Sequence, residues 1–335
     1  MTFDDINANK GQACKRFLIT GGTGMIGSAL VKALQKIHSD AEITLIVRNE
    51  KLARQRLRDL HIQDDVKFIT WDFELLRPVI KGSFDYVIHL ASTTHPRAYV
   101  AMPITTITLN VLVTKALLDV VVANPKCRFV YASSVEVYGQ NRGDVELFNE
   151  KYCGYIDCNT LRAGYPESKR CGEALCQAYI QEKGVDVVIP RLARIYGSGL
   201  LKTDTKALSQ FLWNAVDGKD IVLKSAGNQY FSYLHCDDAV TGILTIMEKG
   251  SSGEAYNVSD EASDIRLKDL AALIAGYAGT NVIFDLPDEI ERTGYSTATI
   301  ARLDSRKLKA LGWRARYDIR SGIKATIDAL KGERV

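Results

Sequence analysis

Paired cysteines, long unbroken apolar runs and a dominant charge of one sign are what this 335-residue sequence lacks. Its seven cysteines (14, 127, 153, 158, 171, 176 and 236) are odd in number and show no Cys-x-x-Cys spacing. That argues against a disulfide framework and for a reducing compartment. Cys127 and Cys176 sit in apolar runs and read as small core residues. No uninterrupted apolar run is long enough to span a bilayer, and residues 1–14 are polar and acidic, without a signal peptide's apolar centre. The expectation is a soluble cytoplasmic protein with no membrane contact. A formal net charge of +3, from 43 basic and 40 acidic residues, provides no basic field for nucleic acid. The densest basic stretch, from Lys51 to Arg58, has helical spacing and reads as a solvated face. His89 reads as a core histidine at a strand end, and His38, His61, His95 and His235 form no metal-ligand spacing, so no metal is expected.

What is present is a patterned, ordinary globular composition, 46% hydrophobic and 25% charged. Short β-branched runs recur at 17–20, 43–47, 66–69, 86–90, 128–132 and 185–189. They lack polar alternation, as strands buried on both faces of a parallel sheet do. Between the first two lies a helical stripe over 24–36, with Ile26, Ala29, Leu30, Ala33 and Leu34 on one side. This order predicts an α/β fold, a doubly wound parallel Rossmann sheet over residues 1–190. A smaller substrate-binding lobe is expected over 191–335, with some chain returning to the first domain. Residues 107–123 are nearly apolar all round. A helix touching only its own sheet would keep a polar face, so this one is expected to pack against a second subunit in a homodimer, together with the helix after Tyr165. Burial within one chain is the alternative.

Two motifs carry chemistry. Gly21-Gly22-Thr23-Gly24-Met25-Ile26-Gly27 follows the first strand and opens a helix. Gly21 permits the tight turn, Gly24 a close backbone approach to a pyrophosphate, and Gly27 the packing of helix on sheet. The N–H groups of the helix start then face the phosphates of a dinucleotide. At the end of the second strand, where a carboxylate would hold a ribose 2′-hydroxyl, stands Arg48. It suits a 2′-phosphate and leans towards NADP; a solvated strand-end arginine is the plainer reading. Asp72, followed by Phe73 after the third strand, is placed to accept from the adenine amino group. In the second motif, Tyr165 and Lys169 are four residues apart and share a helix face. An ammonium and a positive nicotinamide ring stabilise a phenolate that takes a hydroxyl proton as hydride leaves the same carbon. Ser134, at the end of the fifth strand, is placed to share that hydroxyl's hydrogen bond.

With these residues in place the chain resembles the extended short-chain dehydrogenase/reductases, the nucleotide-sugar epimerases, dehydratases and decarboxylases. The resemblance runs from about Phe17 to about Trp313 and includes His89-Leu90-Ala91-Ser92, Asn110, Arg191-Leu192-Ala193-Arg194-Ile195-Tyr196-Gly197, Gly227-Asn228-Gln229 and Leu311-Gly312-Trp313. It implies NAD(P) as cofactor, with Leu90 and Ala91 beside it, and a nucleotide-diphosphate sugar oxidised, usually at C4. It also implies Glu136 as a group acting at C5, matching the glutamate of sugar 4,6-dehydratases and UDP-glucuronate decarboxylases. The aspartate that dTDP-glucose dehydratases carry before that glutamate is replaced by Val135. Phe231 stands where the family commonly has a diphosphate-binding arginine, and Arg194 where it commonly has asparagine. Arg194 and Arg292 are therefore the expected diphosphate contacts, and Arg162 faces the cleft as a holder of a sugar carboxylate or phosphate, or as a structural ion pair. Decarboxylation of a UDP-uronic acid and 4,6-dehydration both fit. A 4-epimerase or an NADPH-dependent 4-keto reductase, which needs no Glu136, is the alternative, and an idle dinucleotide-binding scaffold is another.

Overall fold

The computed structural model describes residues 14–62, 65–72, 79–92, 101–285 and 299–332. Strands β1 (Arg16–Thr20), β2 (Glu42–Val47), β3 (Lys67–Thr70), β4 (Tyr86–His89), β5 (Arg128–Tyr131) and β7 (Asp186–Leu192) start within one residue of the six expected positions, and a short strand β6 (Ser133–Ser134) is added. The second half adds β8 (Arg194–Tyr196), β9 (Ile221–Leu223), β10 (Tyr230–His235), β11 (Ala255–Val258), β12 (Asp264–Arg266), β13 (Val282–Phe284) and β14 (Ile300–Ala301).

Eight strands make one parallel sheet in the order β11-β7-β5-β4-β1-β2-β3, with β6 also pairing β7. β1 lies between β2 and β4, so Thr20 is opposite both Ile46 and His89. The chain winds outward from β1 in both directions. The crevice at the carboxyl ends of β1 and β4 is therefore the topological switch point, where ligands of open α/β sheets bind. Alternate residues of each strand feed opposite layers: Phe17, Ile19 and Ile88 one side, Leu18, Val87 and Phe129 the other. Helix α1 (Met25–Ile37) covers the first side through Leu30, Val31 and Leu34. The next helix, α2 (Glu50–Asp59), buries Ala53 and Leu57 and exposes two of its four basic residues, Lys51 and Arg58.

The second layer is capped by α3 (Pro103–Val122) and α4 (Gly164–Lys183). The expectation that no segment is long and apolar enough to span a bilayer is corrected here, by length and composition alone. Pro103–Val122 is 20 residues long with a mean hydropathy of 1.6, enough by length and composition to cross a bilayer. Threonines, Asn110, Lys115 and Asp119 interrupt its apolar runs while its mean hydropathy stays high, which is why counting unbroken runs missed its length. In the fold, Val113, Leu117, Leu118 and Val121 pack on the sheet, while Met102, Ile104, Ile107 and Leu112 are exposed.

After Pro190 the chain does not simply leave the first sheet. Residue 190 lies inside β7, and helix α5 (Cys236–Lys249) and strand β11 return to it. A second sheet, β12-β10-β14 with β8 on β10, stands beside the crevice, and β13 pairs with β9. Trp313 closes this half, fully buried, its indole N–H donating to Thr241 Oγ1 at 3.0 Å.

Candidate active site

The glycine turn divides into two that pack and one that stays open. Gly21 has φ +74°, and a Cβ there would lie 2.7 Å from the Ala91 nitrogen. A Cβ on Gly27 would lie 2.1 Å from the Gly21 carbonyl oxygen. Both positions are closed to larger residues by their own backbone. Gly24 is different: it is exposed, and its Cβ would meet only the Gly21 oxygen, at 3.4 Å. It caps α1 without a side-chain hydrogen bond, and no acidic residue occupies the first turn. The N–H groups of Met25, Ile26 and Gly27 therefore point into an open, electropositive crevice. That is the donor set a pyrophosphate needs, and the residues fit a dinucleotide.

Around this turn, Leu90 and Ala91 run alongside β1, their N–H groups donating to Thr20 O and Thr20 Oγ1, each at 3.2 Å. Arg48 is exposed at the end of β2, and Asp72 is exposed just after β3. Phe73 and Arg292 lie outside the described residues. The loop after β8 closes over the helix start: Gly199 packs on Met25, and Arg56 Nη2 donates to Gly199 O at 3.0 Å. Arg56 is thus one member of the basic stretch that is not merely solvated.

The residues expected to handle the proton meet where β5 and β6 end. Ser134 Oγ accepts from the Glu136 N–H at 3.2 Å and starts a short 3-10 turn, Val135–Tyr138. Opposite, α4 presents Tyr165, Ser168 and Lys169, all nearly fully buried. Burial pushes the Tyr165 phenol up to about 12; hydrogen bonds from Ser134 and Ser92 and the Arg162 charge oppose this, while Glu136 adds to it. Burial also pulls Lys169 down to about 7, against the charge of Glu173. Its ammonium donates to Ala132 O at 2.8 Å and lies 4.9 Å over the Tyr131 ring. Gly172 leaves the space that the Tyr131 hydroxyl needs, since a Cβ would stand 2.0 Å from it. His89, expected as a core histidine, is fully buried and hydrogen-bonded to Thr20 at 2.7 Å.

On the substrate side the structure brings two expected residues together. Arg162 Nη2 donates to both Glu136 oxygens, at 2.7 and 2.9 Å. Val135 is buried beside them and offers no acid. Across the crevice the Arg194 guanidinium lies 3.5 Å over the Phe231 ring, on the adjacent strand β10. The expected loss and gain of an arginine therefore fall at one place in space.

Sequence reading passed over the residues that hold this arrangement. Glu173 takes both arms of Arg191 (2.9 and 2.6 Å) and the Ser133 hydroxyl (2.5 Å). Arg191 also donates to the Tyr138 hydroxyl at 3.0 Å, which donates to Asn257 at 2.6 Å on the returning strand β11. The signal for Glu173 was available, since it is one helical turn beyond Lys169. Among the described residues, no group of three or more His, Cys, Asp or Glu could hold a metal ion.

Residues 17–259 match the NAD dependent epimerase/dehydratase family. Over 331 residues the chain is 28% identical to UDP-glucuronic acid decarboxylase 1 of Danio rerio, covering 95% of this chain and 73% of that protein. It is 28% identical over 327 residues to a dTDP-glucose 4,6-dehydratase of Streptomyces antibioticus, covering 95% and 92%. In three dimensions it resembles the UDP-glucuronic acid 4-epimerase of Bacillus cereus, solved with UDP-glucuronic acid and NAD, with a TM-score of 0.79 at 21% identity. That superposition covers 95% of this chain and 99% of the epimerase.

Proposed function

The chain belongs to the NAD dependent epimerase/dehydratase family, and from that premise we propose that it converts a UDP-uronic acid through a 4-keto intermediate and releases the C5 carboxylate as carbon dioxide. The bound dinucleotide supplies the hydride acceptor and a positive ring beside Tyr165. Tyr165 takes the C4 hydroxyl proton, and Ser134 orients that hydroxyl. Lys169, in its protonated form, lowers the tyrosine's pKa once the site is filled. A C4 ketone makes the C5 carboxylate labile: the bond from C5 to the carboxylate breaks, carbon dioxide leaves, and the bond's electron pair forms the C4–C5 enolate. Glu136 relays a proton from water to C5 before the hydride returns to C4. Arg162 offers the guanidinium that a sugar carboxylate requires.

The observation that carries this reading is the Arg162–Glu136 pair, in which one guanidinium nitrogen is shared between both carboxylate oxygens, with Val135 next to it. An ionised Glu136 can act at C5, whereas removal of the C6 hydroxyl calls for a second acid where Val135 stands. Dehydration is the second reading, supported by the likeness to dTDP-glucose dehydratases, and a 4-epimerase or 4-keto reductase would leave Glu136 without work. Arg194 and Arg292 are assigned to the diphosphate. The cofactor is NAD(P), and the exposed Arg48 favours NADP. The glycine turn, Asp72, Phe73, Leu90 and Ala91 are assigned to it. The apolar outer face of α3 supports a homodimer, and residues 191–335 contribute most of the substrate lobe. Incubation of the purified protein with NAD(P) and a panel of UDP-, dTDP-, GDP- and CDP-sugars tests the reading by product mass. Loss of carbon dioxide from a UDP-uronic acid supports it; loss of water from a neutral hexose, or no mass change, replaces it.

A further inference from the structure

Helix α4 does more than present Tyr165 and Lys169. Three of its side chains reach the stretch of chain that carries Ser134 and Glu136. Lys169 Nζ donates to Ala132 O at 2.8 Å, and Glu173 accepts from the Ser133 hydroxyl at 2.5 Å. These two hold the chain before Ser134. The third, Arg170, holds it after Glu136, its Nε donating to Val137 O at 2.7 Å. Glu136 therefore lies between anchors that stand on one helix. Arg170 also reaches further: Nη2 donates to Gly154 O at 3.0 Å, and Nη1 to Glu167 on its own helix at 3.3 Å.

The turn Val135–Tyr138 needs such a hold. It is a 3-10 turn closed by the Gly139 N–H on Glu136 O at 3.2 Å, and short turns of this kind have poor hydrogen-bond geometry. Val137 is buried, so leaving its carbonyl unmet is costly. Residues 152–155 run so close beside the turn that each segment has glycine at the contact. A Cβ on Gly139 would lie 2.5 Å from Tyr155 O, and one on Gly154 2.0 Å from Gln140 O. The Gly154 N–H donates to Tyr138 O at 2.8 Å, and the Gln140 N–H to Tyr155 O at 2.9 Å. Arg170 closes this pairing from the helix side. Its planar fork meets one carbonyl of each segment at once, which the point charge of a lysine does not.

We infer that Arg170 is a positioning residue for Glu136, fixing the turn that bears it and the 152–155 segment to the helix that carries Tyr165. The inference rests on Glu136 acting at C5 in the reading above. The bonds of Arg170 fall on residues 137 and 154, past Glu136, whereas that of Lys169 falls on Ala132, before Ser134. Removing the fork therefore loosens the Glu136 turn and leaves Lys169 in place.

The test has two readouts on Arg170→Met, which keeps an aliphatic stem and removes the fork. In the protein with nicotinamide cofactor bound and no sugar, residue-resolved hydrogen exchange of the Gly139 and Gly154 amides is expected to quicken about 10-fold, with the amides of β5 unchanged. Unmoved exchange at both glycines overturns the inference. In a single turnover with a UDP-uronic acid, cofactor reduction is expected to keep its rate within about two-fold, while passage of the 4-keto sugar to product slows about 10-fold. Equal slowing of the two steps marks a general structural loss and overturns it as well. Arg170→Lys, which can meet one carbonyl, is expected to fall between Arg170→Met and wild type. If Arg170→Met does not fold, unmoved exchange in Arg170→Lys overturns the inference equally. A wild type that turns over no UDP-uronic acid removes the functional reading, while the exchange rates still decide whether Arg170 holds the turn.

Discussion

The two walls of the crevice hold their polar groups in opposite ways. On the α4 wall, Tyr165, Ser168 and Lys169 are buried, and Ser168 and Lys169 bond to neutral groups, the Asn110 amide and two backbone carbonyls. On the facing wall, Glu136 and Arg162 are part-buried ions paired with each other, and Arg194 is stacked on an aromatic ring. Buried, bonded groups keep one geometry because leaving any polar atom unmet is costly. Part-buried ions exchange partners cheaply, as a group that must meet a charged ligand has to. The first wall suits a step shared by many relatives. The second suits the step in which this chain differs from them.

The largest expected effect tests the rigid wall. Tyr165→Phe should lower kcat by about 10³-fold, as for loss of a general base, with cofactor affinity retained in a binding titration. Glu136→Gln tests the facing wall: product formation should fall by about 10²-fold while the 4-keto sugar accumulates, visible by mass and by reduced-cofactor absorbance. An undiminished rate in Glu136→Gln would remove the C5 role. Arg194→Ala should raise KM about 10-fold with little change in kcat, the mark of lost ground-state binding. A negligible rise in KM would take Arg194 off the diphosphate.

Within the cofactor turn, two substitutions of the same type should separate. Gly27→Ala forces a Cβ to 2.1 Å from a backbone oxygen and should cost about 2–3 kcal/mol of stability by denaturant titration. Gly24→Ala meets nothing closer than 3.4 Å and should fold normally but bind cofactor more weakly.

The smallest effect is a pH slope. Burial holds Lys169 at about 7, well below the ordinary 10.5. Between those values the unfolded chain carries a proton that the folded protein has lost. Stability from this group therefore rises with pH from about 7 upward and is level below. Wild type should gain thermal stability relative to Lys169→Met as pH is raised from about 7 to 10, measured without cofactor.

The rigid wall and the sheet were legible in the sequence because local rules govern them. β-branched runs mark strands buried on both faces, the glycine spacing marks a turn with closed and open positions, and i,i+4 spacing places Tyr165 with Lys169. The second sheet was not legible. Its strands are two to six residues long and pair β10 with partners as distant as β8 and β14. The Arg162–Glu136 pair joins residues 26 positions apart through an irregular loop, and the Arg194–Phe231 stack depends on the register of β8 with β10. Ser92 and Asn110 could be quoted as a motif, yet their bonding requires a π turn, Leu109–Val113, that no periodicity announces. The helix over 107–123 was legible as nearly apolar, but its membrane length was not, because threonines, Asn110, Lys115 and Asp119 break the run of letters while the mean hydropathy stays at 1.6.

The most direct test is one product spectrum. The purified protein with NAD(P) is incubated with a UDP-uronic acid in deuterated water, and the product mass is read. The account predicts a UDP-pentose that has lost carbon dioxide and carries one deuterium at C5. Unchanged UDP-uronic acid, or a C4 epimer of the same mass with no deuterium at C5, would contradict it.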